Sequence, residues 1–174
     1  QTSGDAVKTI LFCEEQFLKG KNVRPQFPGR NVGLMFGLES SLHPFIQYPA
    51  YKEIAHLTLD QKFEVMKDPR FKNTLLSQGP DFESEIEKKL ADETNHKTRE
   101  ELLKDVKLAS KLTSNYETQF ILGTPPNYEP RKEDSIASIA LNRGTSELEV
   151  MYDEMMKNNG TNLIYACFTP YENY

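Results

Sequence analysis

The sequence predicts a helix-rich α/β or α+β protein, and three observations carry that prediction. Residues 48–115 are dominated by helix formers, with repeated helix start and stop signals. Short apolar runs at 118–122 and 162–168 have the length of strands. Between the first helical segment and the helix-rich middle, residues 23–45 carry Pro25, Pro28, Gly29, Gly33 and Gly37, which set backbone conformations that other residues resist. This stretch reads as the end of a buried strand opening into a structured loop.

Taken in order, Asp5 is placed to cap a first helix whose apolar stripe is Val7, Ile10, Leu11, Phe17 and Leu18, and Gly20 supplies its stop. Residues 22–27 then read as a strand, with the functional loop at its far end. A helix is expected from about Ala50, and Thr58-Leu59-Asp60-Gln61 is a capping sequence before Phe63, Val65 and Met66. Asp68-Pro69 opens the next helix with Pro in the first turn, where its missing amide hydrogen costs nothing. Gly79-Pro80 is a break, and helices are expected over 82–93 and 97–112. Their acidic and basic residues alternate at helical spacing, which describes a solvated face.

After the short strand at 118–122, Pro125, Pro126 and Pro130 lead to a helix containing Ser135, Ile136, Ile139 and Ala140 and ended by Gly144. Ser146 with Glu149 fits a capping box for a helix over 147–158, and 162–168 is the most strand-like run in the chain. The segments are thus 1–47 with helix, strand and loop, 48–116 as a helical insertion, and 117–174 with a short strand, two helices and a strand.

Several blocks together resemble the N-acyl-D-amino-acid deacylases, or D-aminoacylases, of the amidohydrolase superfamily. The first runs from Arg24 to Phe45, then Tyr48-Pro49-Ala50-Tyr51, Ile54-Ala55-His56-Leu57 and Met66-Lys67-Asp68-Pro69-Arg70. The second holds Leu122-Gly123, Asn127-Tyr128-Glu129-Pro130, Asp134-Ser135-Ile136-Ala137, Leu148-Glu149-Val150, Tyr152-Asp153 and Asn173-Tyr174. Residues 83–115 match least. The resemblance implies part of a (β/α)8 metal-dependent hydrolase barrel with a mainly helical insertion, from an enzyme that hydrolyses the amide bond of N-acyl-D-amino acids with zinc. It also implies a small-molecule N-acyl amino acid as partner.

The chemistry of such an enzyme needs a zinc-bound water and a carboxylate that moves protons. The sequence has only His43, His56 and His96, with no His-x-His and no Glu-x-x-His. No residue is therefore assigned as catalytic or as a metal ligand, and no zinc is expected on this segment. Arg30, at the end of the candidate strand, is the residue expected to grip the substrate carboxylate, since guanidinium binds carboxylates through two hydrogen bonds. Arg24 has a weaker claim, and Tyr48, Tyr51 and Tyr171 are candidate pocket residues, of which Tyr48 is assigned to substrate binding. His43 is expected to order its loop through the backbone. Gly29, Gly33 and Gly37 lack the Lys-Ser/Thr of a phosphate loop.

At 174 residues the chain is long enough for one domain. Charged residues make up 27% and mean hydropathy is −0.63, on the polar side. A net charge of −5, with no basic block, argues against nucleic acid or an anionic membrane as partner. No apolar run approaches a membrane helix, and a cytoplasmic location is the expectation. Cys13 and Cys167 sit in apolar settings as reduced core thiols. The chain opens without Met and stops straight after a strand, so a segment of a longer protein is expected, inactive alone and prone to self-association through exposed edges. A stand-alone helical interaction domain, or a segment of an amidohydrolase of another substrate class, are the competing readings.

Overall fold

A helix can end cleanly only if its last carbonyls find donors, and the first helix shows how this chain supplies them. The structure, a computed structural model, describes residues 3–26 and 32–168. Helix α1 spans Ser3–Leu18, so Asp5 lies inside its first turn rather than ahead of it as a cap. Gly20, at φ 80°, lets its own amide reach Phe17 O at 2.9 Å while the Lys21 amide reaches Gln16 O at 3.1 Å.

Residues 21–26 form no regular element, which corrects the strand expected at 22–27. Pro25 has no amide to contribute to a ladder, and most of the stretch is exposed. The first strand is instead β1, Gly33–Phe36, inside the Gly-marked segment expected to be loop. Leu34, Met35 and Phe36 form a continuous apolar run suited to burial.

The helix-rich middle follows its punctuation closely. Helix α2 is Pro49–Ile54, α3 is Leu59–Met66, α4 is Pro69–Ser77, α5 is Phe82–Ala91 and α6 is Arg99–Thr113. Thr58 and Gln61 form the expected reciprocal box on α3, and the Asp68 carboxylate caps α4 at the Arg70 amide. Helix α6 starts with a second box, Thr98 with Glu101. Strand β2, Gln119–Ile121, follows a single turn of 3₁₀ helix at Tyr116–Thr118. Helices α7, Ile136–Arg143, and α8, Glu147–Met155, are separated by Gly144 in the left-handed region, and β3 is Ile164–Cys167. The box on α8 is half made: the Ser146 hydroxyl accepts from the Glu149 amide, but the Glu149 carboxylate turns to Lys72 and Thr145.

The three strands are ordered β1-β3-β2. Strand β3 is central and all four of its residues are buried. Strand β2 pairs with β3 antiparallel, with Gln119 opposite Ala166, Phe120 opposite Tyr165 and Ile121 opposite Ile164. The fold is therefore helix-rich α+β with a small sheet. Two compact units are present: Gln1–Gly33 together with Cys167–Tyr174, and Leu34–Ala166. In the smaller, the Phe168 amide donates to Val32 O at 2.9 Å. Cys13 and Cys167 are buried and form no disulfide among the described residues.

The core of the larger unit joins distant parts of the chain. Phe36, Phe45, Met66, Leu75, Ile136, Val150, Met151, Met155 and Ile164 are almost fully buried in one cluster. The Tyr152 hydroxyl donates to Met66 O, and the Tyr152 ring stands edge-on to Phe45 at 5.8 Å. Lys72 on α4 bridges Glu149 at 3.0 Å and Asp153 at 2.7 Å on α8. Helices α5 and α6 pack on each other, with Ile86 and Leu102 buried and most of their charged residues exposed. Their surface pairs, among them Arg99–Glu83, Lys97–Asp105 and Lys104–Glu100, each contribute at most about 0.5 kcal/mol.

Between α8 and β3 the chain turns through three successive left-handed residues, Asn158, Asn159 and Gly160. Gly160 is buried there, and a Cβ on it would come within 3.1 Å of Leu38 Cδ1 and 3.3 Å of Leu59 Cδ1. Beside this turn the Glu154 carboxylate is fully buried. Arg143 Nη2 donates to its Oε1 at 2.9 Å, and Lys157 Nζ lies 2.6 Å from Oε2, off line for a hydrogen bond but in close charge contact.

Because the two cations are about half exposed and Glu154 is not, the loss is asymmetric. Replacing Arg143 and Lys157 together by Ala strands a buried carboxylate and is expected to cost about 3–5 kcal/mol. Glu154→Gln keeps a hydrogen-bonding side chain in the core, leaves the cations their contact with water, and is expected to cost about 1–2 kcal/mol. Urea unfolding of the three proteins at neutral pH gives the comparison.

Candidate functional site

The chain between β1 and α2 is a tight winding held by its own hydrogen bonds. The Phe45 amide donates to His43 Nδ1 at 3.3 Å, Ile46 to His43 O at 3.3 Å and Tyr48 to Phe45 O at 2.9 Å. His43 thus orders its loop as the sequence predicts. Its ring is 1% exposed and stands edge-on to Tyr51 at 4.6 Å. Burial, then the charge of Lys62, pull its pKa down to about 3, so the imidazole is neutral at physiological pH.

Behind His43 lies a buried polar node. Leu38 O accepts from the Tyr51 hydroxyl at 2.9 Å and from Lys62 Nζ at 3.2 Å. Lys62 is 8% exposed, and its ammonium stands 5.6 Å from the centre of the Tyr51 ring. No carboxylate pairs with it among the described residues; a carbonyl and an aromatic face take that role. Burial pushes the Tyr51 hydroxyl up to about 12.

On the other side of the winding is a cavity of about 80 Å³. Residues 42–48 form one wall, Pro80 and Phe82 a second, and the last turns of α6 with Tyr116 a third. A backbone bond fixes two walls to each other, the Asp81 amide donating to Gln47 O at 2.8 Å, and the Lys52 side chain on α2 adds a bond from Nζ to Asp81 O at 2.8 Å. The first turn of α2 is capped from afar, its Ala50 amide donating to Gln78 Oε1 at 2.9 Å, while the N-cap residue Tyr48 makes no side-chain cap. The Tyr48 phenol is left to line the cavity.

Two phenols therefore face this space, Tyr48 and Tyr116, and neither hydroxyl has a hydrogen-bond partner among the described residues. Burial raises both above the ordinary tyrosine pKa, and for Tyr116 the neighbouring Tyr48 and Glu147 raise it further. Both stay protonated donors. Gln47 Oε1 is buried without a partner. Ser110, Thr113 and Ser114 add hydroxyls to the lining, which contains no Asp, Glu, Lys or Arg.

The other expected site residues are dispersed. Arg30 and Tyr171 lie outside the described residues. Arg24 places its guanidinium 4.5 Å from the centre of the Phe17 ring, a stacking contact. Tyr51 belongs to the core, and His56 and His96 are exposed. Among the described residues no three His, Cys, Asp or Glu side chains gather as a metal site. Tyr116 and Gln47 escape a reading of the sequence: one follows a helix end and the other sits in a loop, and neither position carries a local pattern. No helix is long and apolar enough to cross a membrane among the described residues.

Compared with protein-family models, with curated proteins and with solved structures, the chain finds no match in any of the three. The description that stands is the structural one, a helix-rich α+β chain with a small neutral cavity under its helical hairpin.

The buried neutral His43 makes stability depend on pH with a defined sign. Unfolding returns the ring to a pKa near 6.5, so the unfolded chain binds the extra proton between about pH 6.5 and 3. Its contribution is complete above that window and falls as pH drops, by up to about 1.4 kcal/mol per unit. His43→Asn, which retains an acceptor for the Phe45 amide, is expected to flatten the fall in unfolding free energy from pH 7 to pH 5 by about 1–2 kcal/mol. Parallel denaturation series at the two pH values measure it.

Proposed function

We propose that this chain is a segment of an amidohydrolase acting on N-acyl-D-amino acids, contributing cover to the enzyme rather than its metal-holding groups. The observation that carries the reading is the meeting of the two sequence blocks that resemble the D-aminoacylases. Phe45 from the first meets Tyr152 from the second edge-on, and the Tyr152 hydroxyl reaches back to Met66. The least similar stretch, 83–115, makes up most of α5 and α6, which flank this core and wall the cavity. The Phe168–Val32 hydrogen bond pairs the start of β1 with the end of β3 antiparallel, and β2 is antiparallel to β3 as well, so in this reading the small sheet is not a piece of the parallel barrel wall and the chain belongs to the cover.

Zinc, when bound in such an enzyme, supplies a nucleophilic water. The histidines here do not fit it. His43 is buried with Nδ1 engaged by a backbone amide, while His56 and His96 are exposed and share no ligand cluster. In the proposed enzyme the ligands come from other parts of the protein. What this chain's residues contribute is binding: Arg30 for the substrate carboxylate, and Tyr48 as a neutral donor beside the helical cover.

The chain with added zinc and an N-acetyl-D-amino acid is expected to show no turnover above a buffer blank. A longer gene product containing an upstream His-x-His strand is expected to hydrolyse the same compound. In that longer protein Arg30→Ala should lower kcat/KM by about 10–100-fold, mainly through KM. Enzyme-like turnover by the chain alone, or none by the longer protein, overturns the assignment.

A further inference from the structure

The turn between α8 and β3 contains Asn159-Gly160, the one place in the sequence where glycine follows asparagine. In a flexible chain such a pair loses its side-chain amide readily, because the glycine nitrogen can turn onto the neighbouring side chain with no Cβ of its own in the way. The deprotonated Gly160 nitrogen attacks Asn159 Cγ, the Cγ–Nδ2 bond breaks, and ammonia leaves, closing an imide ring. Water then adds to either imide carbonyl. One opening gives aspartate; the other gives isoaspartate, whose main chain runs through the former side chain and is one methylene longer.

Asn159 is exposed, so water reaches its amide, but the backbone holds the attacking atom away. At φ 57° and ψ 39° the Gly160 nitrogen lies across the Cα–C bond from Asn159 Cβ, opposite the side on which the ring has to close. The Gly160 amide also donates to Met156 O at 3.3 Å, which engages the proton that has to leave. Bonds on both flanks pin this geometry: the Thr161 hydroxyl donates to Asn158 O at 2.8 Å, and Asn162 Nδ2 to Glu154 O at 2.9 Å. Rotation about ψ of Asn159 swings the Gly160 peptide plane out of this arrangement, so attack waits for local opening.

We infer that Asn159-Gly160 is a latent modification site: the folded turn keeps it unreactive, opening exposes it to deamidation, and the isoaspartate formed prevents the turn from closing again. Gly160 is packed so closely on Leu38 and Leu59 that not even a Cβ fits freely, and β3 begins at Ile164, so an added main-chain carbon displaces one or the other. Aspartate adds no main-chain atom and tolerates the left-handed conformation, so that product refolds. An opening of this turn is thereby recorded covalently.

The test incubates the full chain at mildly alkaline pH, folded in buffer and unfolded in guanidinium chloride, with circular dichroism reporting the state. Isoaspartate is counted by labelling with an isoaspartate methyltransferase and located by mass spectrometry in the tryptic peptide that starts at Asn158. Its formation in the folded chain is expected to be at least about tenfold slower than in the unfolded one. On dilution from denaturant, chains carrying aspartate are expected to refold and chains carrying isoaspartate to stay unfolded. Asn159→Ala, read in the unfolded state where its own stability does not matter, should remove the label from this peptide. Equal rates in the two states, refolding of the isoaspartate form, or label persisting in the variant overturns the proposal.

Discussion

The carbonyl oxygen of Leu38, one residue beyond the Gly37 that follows β1, is the point on which the larger unit turns. It accepts both the Tyr51 hydroxyl and the Lys62 ammonium, so α2 and α3 are tied to the end of the strand by one atom. A buried ammonium is tolerated only when its hydrogen bonds and charge are answered. Here a carbonyl and an aromatic face answer it, and its field helps keep His43 neutral. The winding from Leu42 to Tyr48 is thereby held between this node and the cavity.

Much of the helical architecture was legible because helix ends are local problems. Thr58 with Gln61, Asp68 before Pro69, and Gly144 each satisfy backbone groups within a few residues, and each sits where the sequence places it. Strand β1 was not legible. Its Gly33 and the nearby Gly37 read as loop punctuation, and what makes it a strand is pairing with β3, far along the chain. Ser146 and Glu149 show the intermediate case: the local box is offered, and a lysine on α4 competes successfully for its carboxylate.

The candidate site divides the same way. His43 was identifiable as the organiser of its own loop; Tyr48, expected at substrate, packs edge-on against Phe45 and lines the small cavity. Tyr116 and Gln47 were not, because a side chain's lack of a partner is a property of the packed molecule. Arg30, the residue on which the sequence places most functional weight, lies outside the described residues. What ties the first half of the larger unit to α8 is the aromatic contact of Phe45 with Tyr152 and the salt links of Lys72.

The capping of α2 by Gln78 has a kinetic side. Ala50 and Asp81 hold their amide hydrogens through contacts that cross between the winding and the α4–α5 connection, not through contacts within either. When that connection detaches in a local opening, both protons are released to solvent in one event and the cavity loses a wall. Hydrogen exchange at these two sites thus reads out the breathing of the cavity, and anything bound inside slows them in step.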